Sequence, residues 1–120
     1  MSADLLAAAD DAAQKAYAPY SNFFVGAVAR ARDGRLFSGV NVENAAYPLG
    51  ICAEKCCIGS AATGGLKPGD LEEIAITASP CGGCRQWLAE WGIDRVTYRR
   101  ENGEVVTVTP ADLLPDSFAL

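Results

Sequence analysis

The chain has 120 residues and a formal net charge of −5, with half of its residues apolar and 21% charged. This length fits one domain covering residues 1–120, and the composition is not that of a disordered chain. A net negative charge argues against a nucleic-acid-binding protein, which needs a basic face for the phosphate backbone. No stretch approaches the roughly 18 apolar residues of a membrane helix, and residues 1–11 carry acids where a signal peptide carries Lys or Arg. We therefore expect a cytoplasmic protein without membrane or nucleic-acid partners.

The predicted elements follow the order of a layered α/β domain. Residues 3–16 are rich in Ala and Leu and predict a helix that Pro19 ends. Two hairpins are predicted, one with strands 23–31 and 35–42 around Asp33-Gly34 and one with strands 95–99 and 104–108 around Asn102-Gly103. The other predicted elements are a loop over 44–50, helices over 52–62 and 80–91, a strand over 71–78 and a short last helix with Pro110 at its first position. This order predicts an α/β fold with a mixed sheet.

Five cysteines and the absence of histidine restrict the chemistry of this chain. An odd number of cysteines cannot all pair, and disulfides are rare in reducing compartments. Cys52 opens one predicted helix, and Cys81 and Cys84 lie in the first turn of another, with Ser79 as its predicted cap and Pro80 as its first residue. Residues i and i+3 share a helix face, and helix N-termini lower the pKa of thiols. Three thiolates with one open position describe a catalytic zinc site.

The residues around these cysteines leave two interpretations open. Glu54 is placed to lie beside the metal without binding it, and in a chain without histidine it is the predicted proton shuttle. Lys55 and Arg85 each neighbour a ligand and could offset the negative charge of the site. Alternatively, Cys56 supplies a fourth ligand and closes the site, as in a non-catalytic binding module with structural zinc; more often, cysteines such as Cys56 and Cys57 are small core residues. A redox Cys-x-x-Cys is disfavoured because it would follow the first strand, whereas this one follows the third.

The pattern Cys-Ala-Glu followed by Pro-Cys-Gly-Gly-Cys resembles the known signature of zinc-dependent nucleobase deaminases. Further segments extend it, and the chain resembles the small homotetrameric cytidine deaminases over nearly its whole length. The matching segments are Tyr-Ala-Pro-Tyr-Ser at 17–21 with Phe23 and Val-Gly-Ala at 25–27, Asn-Val-Glu-Asn at 41–44, the zinc motifs at 52–54 and 80–86, and Leu-Leu-Pro at 113–115 with Phe118. The resemblance implies a three-layer α/β/α fold with a mixed five-stranded sheet, a Zn²⁺ cofactor, and a homotetramer or homodimer.

The resemblance also implies a role for each matching residue. By similarity, the metal ligands are Cys52, Cys81 and Cys84, and the proton shuttle is Glu54. The implied substrate contacts are Asn41 and Glu43 for the ribose, Phe23 for the face of the pyrimidine, and the backbone around Ala53 and the 79–81 turn for the edge of the base. Tyr47 and Phe118 are implied to complete the site of a partner subunit. Simpler interpretations stay open at this stage. Phe23 could be a core residue, and Asn41 and Glu43 could be turn and surface residues.

The implied activity is the hydrolytic deamination of cytidine or deoxycytidine to uridine or deoxyuridine and ammonia, a step of pyrimidine salvage. An activated water attacks C4 of the cytosine ring, and Glu54 carries its proton to N3 and then protonates the departing amine. The chain departs from the family pattern in a shortened 76–80 segment and at four positions: Lys55 for Arg, Phe24 for Pro, and Pro48 and Gly50 for Gly and Thr. These departures keep a modified cytosine nucleoside or a blasticidin-type antibiotic open as the substrate. A polynucleotide deaminase is disfavoured by the acidic charge and by the predicted ribose contacts.

Overall fold

The computed structural model describes residues 2–120; Met1, the first residue of the predicted domain, lies outside the described residues. Four α-helices, one short 3₁₀ helix and five strands are described. In chain order they are α1 (Ser2–Ala13), β1 (Gly26–Ala31), β2 (Leu36–Val40), the 3₁₀ helix (Tyr47–Leu49), α2 (Ala53–Thr63), β3 (Leu71–Ile76), α3 (Gly82–Trp91), β4 (Arg95–Arg99), β5 (Val105–Val108) and α4 (Pro110–Leu113).

The five strands form one mixed sheet in the order β2-β1-β3-β4-β5. Strand β1 pairs antiparallel with both β2 and β3, β3 pairs parallel with β4, and β4 pairs antiparallel with β5. The predicted hairpins are confirmed, because Gly34 and Gly103 follow their Asp and Asn with φ of +93° and +90°, a conformation that glycine adopts without steric cost. The parallel β3–β4 pair needs a crossover connection, and α3 provides it.

Apolar side chains cover both faces of the sheet and divide the core into two clusters. On one face, Leu5, Leu6 and Ala9 of α1 pack against Val28 and Ala75. The larger cluster on the opposite face joins α2 and α3 to β1, β3 and β4; its largest fully buried side chains include Ile58, Ile74, Ile76, Leu88 and Val96. Because helices lie on both faces, the predicted three-layer α/β/α arrangement is confirmed.

A close approach between β2 and α2 sets the position of the second helix. A Cβ built on Gly39 would lie 2.2 Å from the backbone nitrogen of Cys57 and 2.6 Å from the carbonyl oxygen of Ala53. Only a glycine fits there, since these separations are far shorter than van der Waals contact. The N-terminal half of α2 therefore rests directly on the backbone of β2.

Three details of the predicted elements are wrong. The first helix ends at Ala13 rather than at residue 16, and β1 begins at Gly26 rather than at Phe23. Residues 20–25 form a loop in which Asn22 has a positive φ of 58°. The N-cap of α3 is Cys81, which makes no side-chain capping bond, so Ser79 is not the cap and Pro80 precedes the helix. Within residues 2–120, no helix combines the length and the apolar character that crossing a bilayer requires.

Candidate active site

The N-termini of α2 and α3 bring three cysteines together. Cys52 is the N-cap of α2, Cys81 is the N-cap of α3, and Cys84 follows one turn later at the third position of α3. Their sulfur atoms all lie within 4.8 Å of one another, and the Sγ atoms of Cys52 and Cys81 are 3.8 Å apart. The two helix N-termini point partial positive charge toward these thiols, which favours the thiolate form that binds metal.

The spacing of the three sulfur atoms fits a zinc ion. Zinc–sulfur bonds of about 2.3 Å at tetrahedral angles place neighbouring sulfurs about 3.8 Å apart, which is the Cys52–Cys81 separation. Three thiolates supply three of the four positions of a tetrahedral ion. A set of three protein ligands is the arrangement of catalytic zinc sites, whereas structural sites have four.

The two other cysteines lie outside this group. Cys57 is fully buried in the core, where its thiol donates to the carbonyl oxygen of Phe37 at 3.3 Å. Burial raises the pKa of the Cys57 thiol to about 12, so it remains protonated at neutral pH. Cys56 is partly exposed and belongs to no group of potential metal ligands among residues 2–120. The described geometry therefore offers three sulfur ligands and no fourth.

The three thiols of the group differ in their electrostatic surroundings. Burial raises the pKa of the Cys52 thiol, and burial together with the charge of Glu54 raises that of Cys84. Burial also raises the pKa of Cys81, but hydrogen bonds from Cys84, Cys52 and the backbone of Gly83 together outweigh it, so the pKa of Cys81 falls below its usual value. Cys81 is the exposed member and Cys84 the buried one. Burial therefore opposes the effect of the helix N-termini at Cys52 and Cys84, whereas the pKa of Cys81 is lowered.

Glu54 lies beside the sulfur group in the first turn of α2. Only 3% of its surface is exposed, yet it lines the cleft described below. Burial raises the pKa of its carboxyl group, against lowering effects that include a hydrogen bond from Cys84 and the charge of Lys55. Glu54 is not a member of the potential ligand group. A buried carboxyl group beside a metal site, with a raised pKa, has the properties of a general acid and base.

A cleft of about 810 Å³ opens in front of this group. Its wall contains most of the predicted substrate residues, namely Phe23, Asn41, Glu43, Tyr47 and Ala53, together with Cys52, Glu54 and Cys81. Two carboxylates, Glu43 and Glu54, line the cleft, and none of its described lining residues is Lys or Arg. Of the remaining predicted site residues, Cys84, Lys55, Arg85 and Phe118 are outside this lining.

A short backbone ladder outside the sheet holds the substrate side of the cleft next to the cysteines. Val42 exchanges two backbone hydrogen bonds of 3.0 Å with Ile51, the residue before Cys52. On its other side, Tyr17 donates to the carbonyl oxygen of Asn41 at 3.0 Å, and Glu43 donates to that of Tyr17 at 2.8 Å. Asn41 and Glu43 flank Val42 in this ladder, so both are carried to the cleft beside the first turn of α2.

Comparison with known proteins identifies the family. The model of the cytidine and deoxycytidylate deaminase zinc-binding region matches residues 2–100. The chain belongs to this family. It is 37% identical to a cytidine deaminase from Sporosarcina psychrophila, over 96% of this chain and 89% of that protein, and 43% identical to one from Mycobacterium tuberculosis, over 93% and 85%. The crystal structure of a cytidine deaminase from Burkholderia pseudomallei superposes with a TM-score of 0.92 at 42% identity, covering 98% of this chain and 99% of that one.

Family membership agrees with the zinc-binding arrangement of the three cysteines. The two residues predicted to offset the charge of this site, Lys55 and Arg85, differ in their surroundings. A Cβ built on Gly83 would lie 3.9 Å from Lys55 Nζ and 4.0 Å from Cys81 Sγ, so the ammonium and the thiol flank the same turn of α3. Arg85 instead donates to the carbonyl oxygens of Pro80 at 3.0 Å and Leu113 at 3.1 Å. It thereby ties the loop before α3 to α4.

The two predicted ribose contacts, Asn41 and Glu43, form hydrogen bonds to the loop at residues 20–25 of this deaminase-family chain. The Asn41 amide accepts from the backbone N–H of Val25 at 2.9 Å and donates to the carbonyl oxygen of Phe23 at 2.8 Å. The Glu43 carboxylate accepts the backbone N–H groups of Tyr20 at 2.9 Å and Ser21 at 3.2 Å, and the Ser21 hydroxyl donates to it as well. The hydrogen bond from Ser21 is the largest cause of a lowered pKa for Glu43.

Several residues of the cleft wall have no role predicted from the sequence. Ser21 and Tyr20 line it beside Phe23, and Val42 and Ile51 line it between the ladder and the cysteines. The available signal was the motif at 17–21, which carries part of the family resemblance and ends on Ser21. Phe118 lies elsewhere; its carbonyl oxygen accepts from the Gln86 amide at 3.1 Å, and its ring is 70% exposed.

Proposed function

We propose that this chain is a zinc-dependent aminohydrolase that converts cytidine or deoxycytidine to uridine or deoxyuridine and ammonia. The observation that carries this proposal is the arrangement of three sulfur ligands at one end of a cleft with the buried Glu54 beside them. When bound there, zinc lowers the pKa of a coordinated water to about 7 and makes a hydroxide nucleophile available at neutral pH. A structural zinc module needs a fourth ligand, which residues 2–120 do not bring to the group.

Glu54 has the surroundings that a proton shuttle needs. Its carboxylate accepts one proton of the attacking water and delivers it to N3 of the cytosine ring. It then takes the second proton, from the hydroxyl group added at C4, and passes it to the departing amine. These transfers require one group that is close to both the nucleophile and the base and that changes protonation state readily. Burial beside the ligands and a position in the cleft wall support this role for Glu54.

The charge of the cleft favours a free nucleoside over a nucleotide. The matching family model covers deaminases of both cytidine and deoxycytidylate, and a phosphate group would need cationic side chains or a helix N-terminus directed at it. The described lining holds two carboxylates and no Lys or Arg, and the two helix N-termini in it are directed at the thiols of Cys52 and Cys81. Elsewhere, Arg95, Arg99 and Arg100 each pair with a carboxylate, which also disfavours a polynucleotide substrate.

Substrate contacts are proposed for the cleft residues that match the family motif. Asn41 and Glu43 receive the ribose hydroxyls, since an amide and a carboxylate complement the donors and acceptors of a sugar. Phe23 packs against the pyrimidine ring, and the backbone at Ala53 and at the 79–81 turn reads the base. All of these residues except Pro80 line the cleft, which supports their assignment.

A homotetramer or a homodimer is proposed for the assembly, with Tyr47 and Phe118 completing a partner's site. Tyr47 is 90% exposed and Phe118 70% exposed, and the loops around the cleft also expose Tyr20, Phe24 and Leu49. Exposed apolar side chains at this density mark interaction surfaces. The domain is proposed to cover residues 1–120. A cytoplasmic location is proposed because the thiol ligands need a reducing compartment, and pyrimidine salvage is the proposed process.

A substrate panel tests this proposal. The zinc-loaded protein is incubated with cytidine, deoxycytidine, deoxycytidylate, 5-methylcytidine and blasticidin S, and ammonia release is measured for each. We expect the two nucleosides to be the best substrates and deoxycytidylate to be turned over at least about 100-fold less efficiently, because a phosphate would face uncompensated carboxylates. Turnover of 5-methylcytidine or blasticidin S alone would shift the substrate to a modified or antibiotic cytosine compound. Zinc binding without any turnover would support the binding-module alternative.

A further inference from the structure

The Ser21 hydroxyl lies between two predicted substrate contacts. It donates to Oε2 of Glu43 and accepts the backbone N–H of Phe23 at 3.0 Å. Ser21 itself is exposed and lines the cleft. One hydroxyl group therefore connects the carboxylate proposed for the sugar with the backbone of the aromatic residue proposed for the base.

The hydrogen bonds of Glu43 leave it one defined place for a substrate hydroxyl. A carboxylate has about four acceptor sites. The N–H groups of Tyr20 and Ser21 both reach Oε1, and the Ser21 hydroxyl reaches Oε2. One acceptor site of Oε2 is left. Among the described residues, Ser21 supplies the one side-chain donor to this carboxylate, so its hydroxyl fixes Oε2 while the two backbone N–H groups hold Oε1.

The same hydroxyl takes part in holding Phe23. The backbone N–H of Phe23 is held by Ser21 and its carbonyl oxygen by the Asn41 amide at 2.8 Å. Both polar groups of the Phe23 backbone are thus fixed by side chains of the cleft wall. Since Asn22 adopts a left-handed conformation with φ of 58°, these two bonds stabilise a turn that the backbone does not favour by itself.

We propose that Ser21 is a positioning residue for sugar recognition, which rests on the proposed function of Glu43 as a ribose contact. Its hydroxyl orients the Glu43 carboxylate so that the free acceptor site of Oε2 meets a hydroxyl group of the nucleoside. The ligand class that this arrangement selects is a nucleoside with free ribose hydroxyls. Ser21 acts on the substrate by orienting Glu43.

The test compares Ser21→Ala with the wild type, both zinc-loaded, on cytidine and on 2′,3′-dideoxycytidine. We expect KM for cytidine to rise about tenfold, the loss of a single oriented hydrogen bond to a charged group, with kcat within about threefold of the wild type. The preference for cytidine over the dideoxy compound should fall by the same factor of about ten. Any effect through Phe23 or through the fold changes both substrates equally and cancels in this ratio.

Two further variants make the result specific. Ser21→Thr keeps a hydroxyl at the same position and should retain the wild-type preference. Ser60→Ala removes an exposed serine from α2, away from the described cleft lining, and should match the wild type throughout. An unchanged preference in Ser21→Ala would overturn the proposal, as would a preference lost equally in Ser21→Thr. A wild-type protein inactive on cytidine would instead overturn the proposed function, and this inference with it.

Discussion

Replacement of Gly39 by alanine tests how the fold positions the site. The new Cβ would lie 2.2 Å from the nitrogen of Cys57 and 2.6 Å from the carbonyl oxygen of Ala53, both backbone atoms of α2. Neither atom can rotate away, as a side chain could. The helix and the strand must therefore separate by roughly 1 Å to restore ordinary contact, since cores are close-packed. Ala53 lies between Cys52 and Glu54, so the displacement reaches the metal ligand and the proposed shuttle directly.

The expected loss of stability follows from this overpacking. Forcing extra carbon into a packed interior costs about 1–3 kcal/mol. For a domain of this size that lowers Tm by roughly 4–12 °C. A shift of about 1 Å in reacting groups can also cost about 100-fold in rate, so kcat should fall far more than the small loss of folded protein explains.

Thermal unfolding of the zinc-loaded protein at fixed concentration measures the first effect, and ammonia release measures the second. Gly59→Ala is the matched control on the same helix, because a Cβ there has no neighbour within 4 Å. Alanine at an exposed helical position should stabilise by about 0.5–1 kcal/mol. If Gly39→Ala melts at or above the wild-type Tm with unchanged kcat, the close approach of β2 and α2 does not set the site.

Three further predictions concern the site itself. Glu54→Gln should keep zinc and fold but lower kcat by at least about 100-fold, because positioned proton transfer contributes about 10²–10⁴-fold; zinc content and ammonia release check this. Cys81→Ala should lower zinc affinity strongly, whereas Cys56→Ala should leave the zinc content unchanged, as measured by titration with a chromophoric chelator. The pKa of Glu43 is lowered in the folded protein, so its ionised form stabilises the fold. This contribution is fully present above the unfolded pKa of about 4.3 and is lost as the pH falls through the folded pKa. Urea unfolding should accordingly show a wild-type advantage over Glu43→Gln at pH 7 that shrinks toward pH 3.

Each of these predictions has a result that contradicts it. Near-normal turnover in Glu54→Gln would mean that another group moves the proton. Loss of zinc from Cys56→Ala would mean that the site has a fourth sulfur ligand. A difference between wild type and Glu43→Gln that stays constant from pH 7 to pH 3 would mean that the Ser21 and backbone hydrogen bonds do not favour the ionised carboxylate.

Local rules of sequence predicted most elements of the fold. The turns at Asp33-Gly34 and Asn102-Gly103 need a glycine in the left-handed region, and both were found in the expected hairpins. The same rules were wrong at the start of α3. Ser79 and Pro80 have the residue types of a cap and a first helical position, yet the helix begins after Cys81. Both residues lie in the loop whose path brings Cys81 to Cys52, so this tertiary constraint outweighed their local preference.

Contacts between distant residues explain what sequence reasoning missed at the site. Ser21 and Glu43 are 22 positions apart, and neither residue type indicates the other. Arg85 follows Cys84 in the chain, and its guanidinium also bonds to the carbonyl oxygen of Leu113, 28 positions away, a contact that the sequence does not indicate. The three cysteines and Glu54 were predictable because helix spacing and the family motif specify them. The hydrogen bonds that orient the cleft residues depend on the folded backbone.

X-ray absorption spectroscopy at the zinc edge of the loaded wild-type protein measures how many protein atoms bind the metal. The described geometry predicts three sulfur neighbours at about 2.3 Å and one oxygen neighbour at about 2.0 Å. The oxygen neighbour should persist in Glu54→Gln, because Glu54 is not a ligand. A shell of four sulfur atoms would contradict a catalytic zinc site, since it would leave no position at which water could be activated.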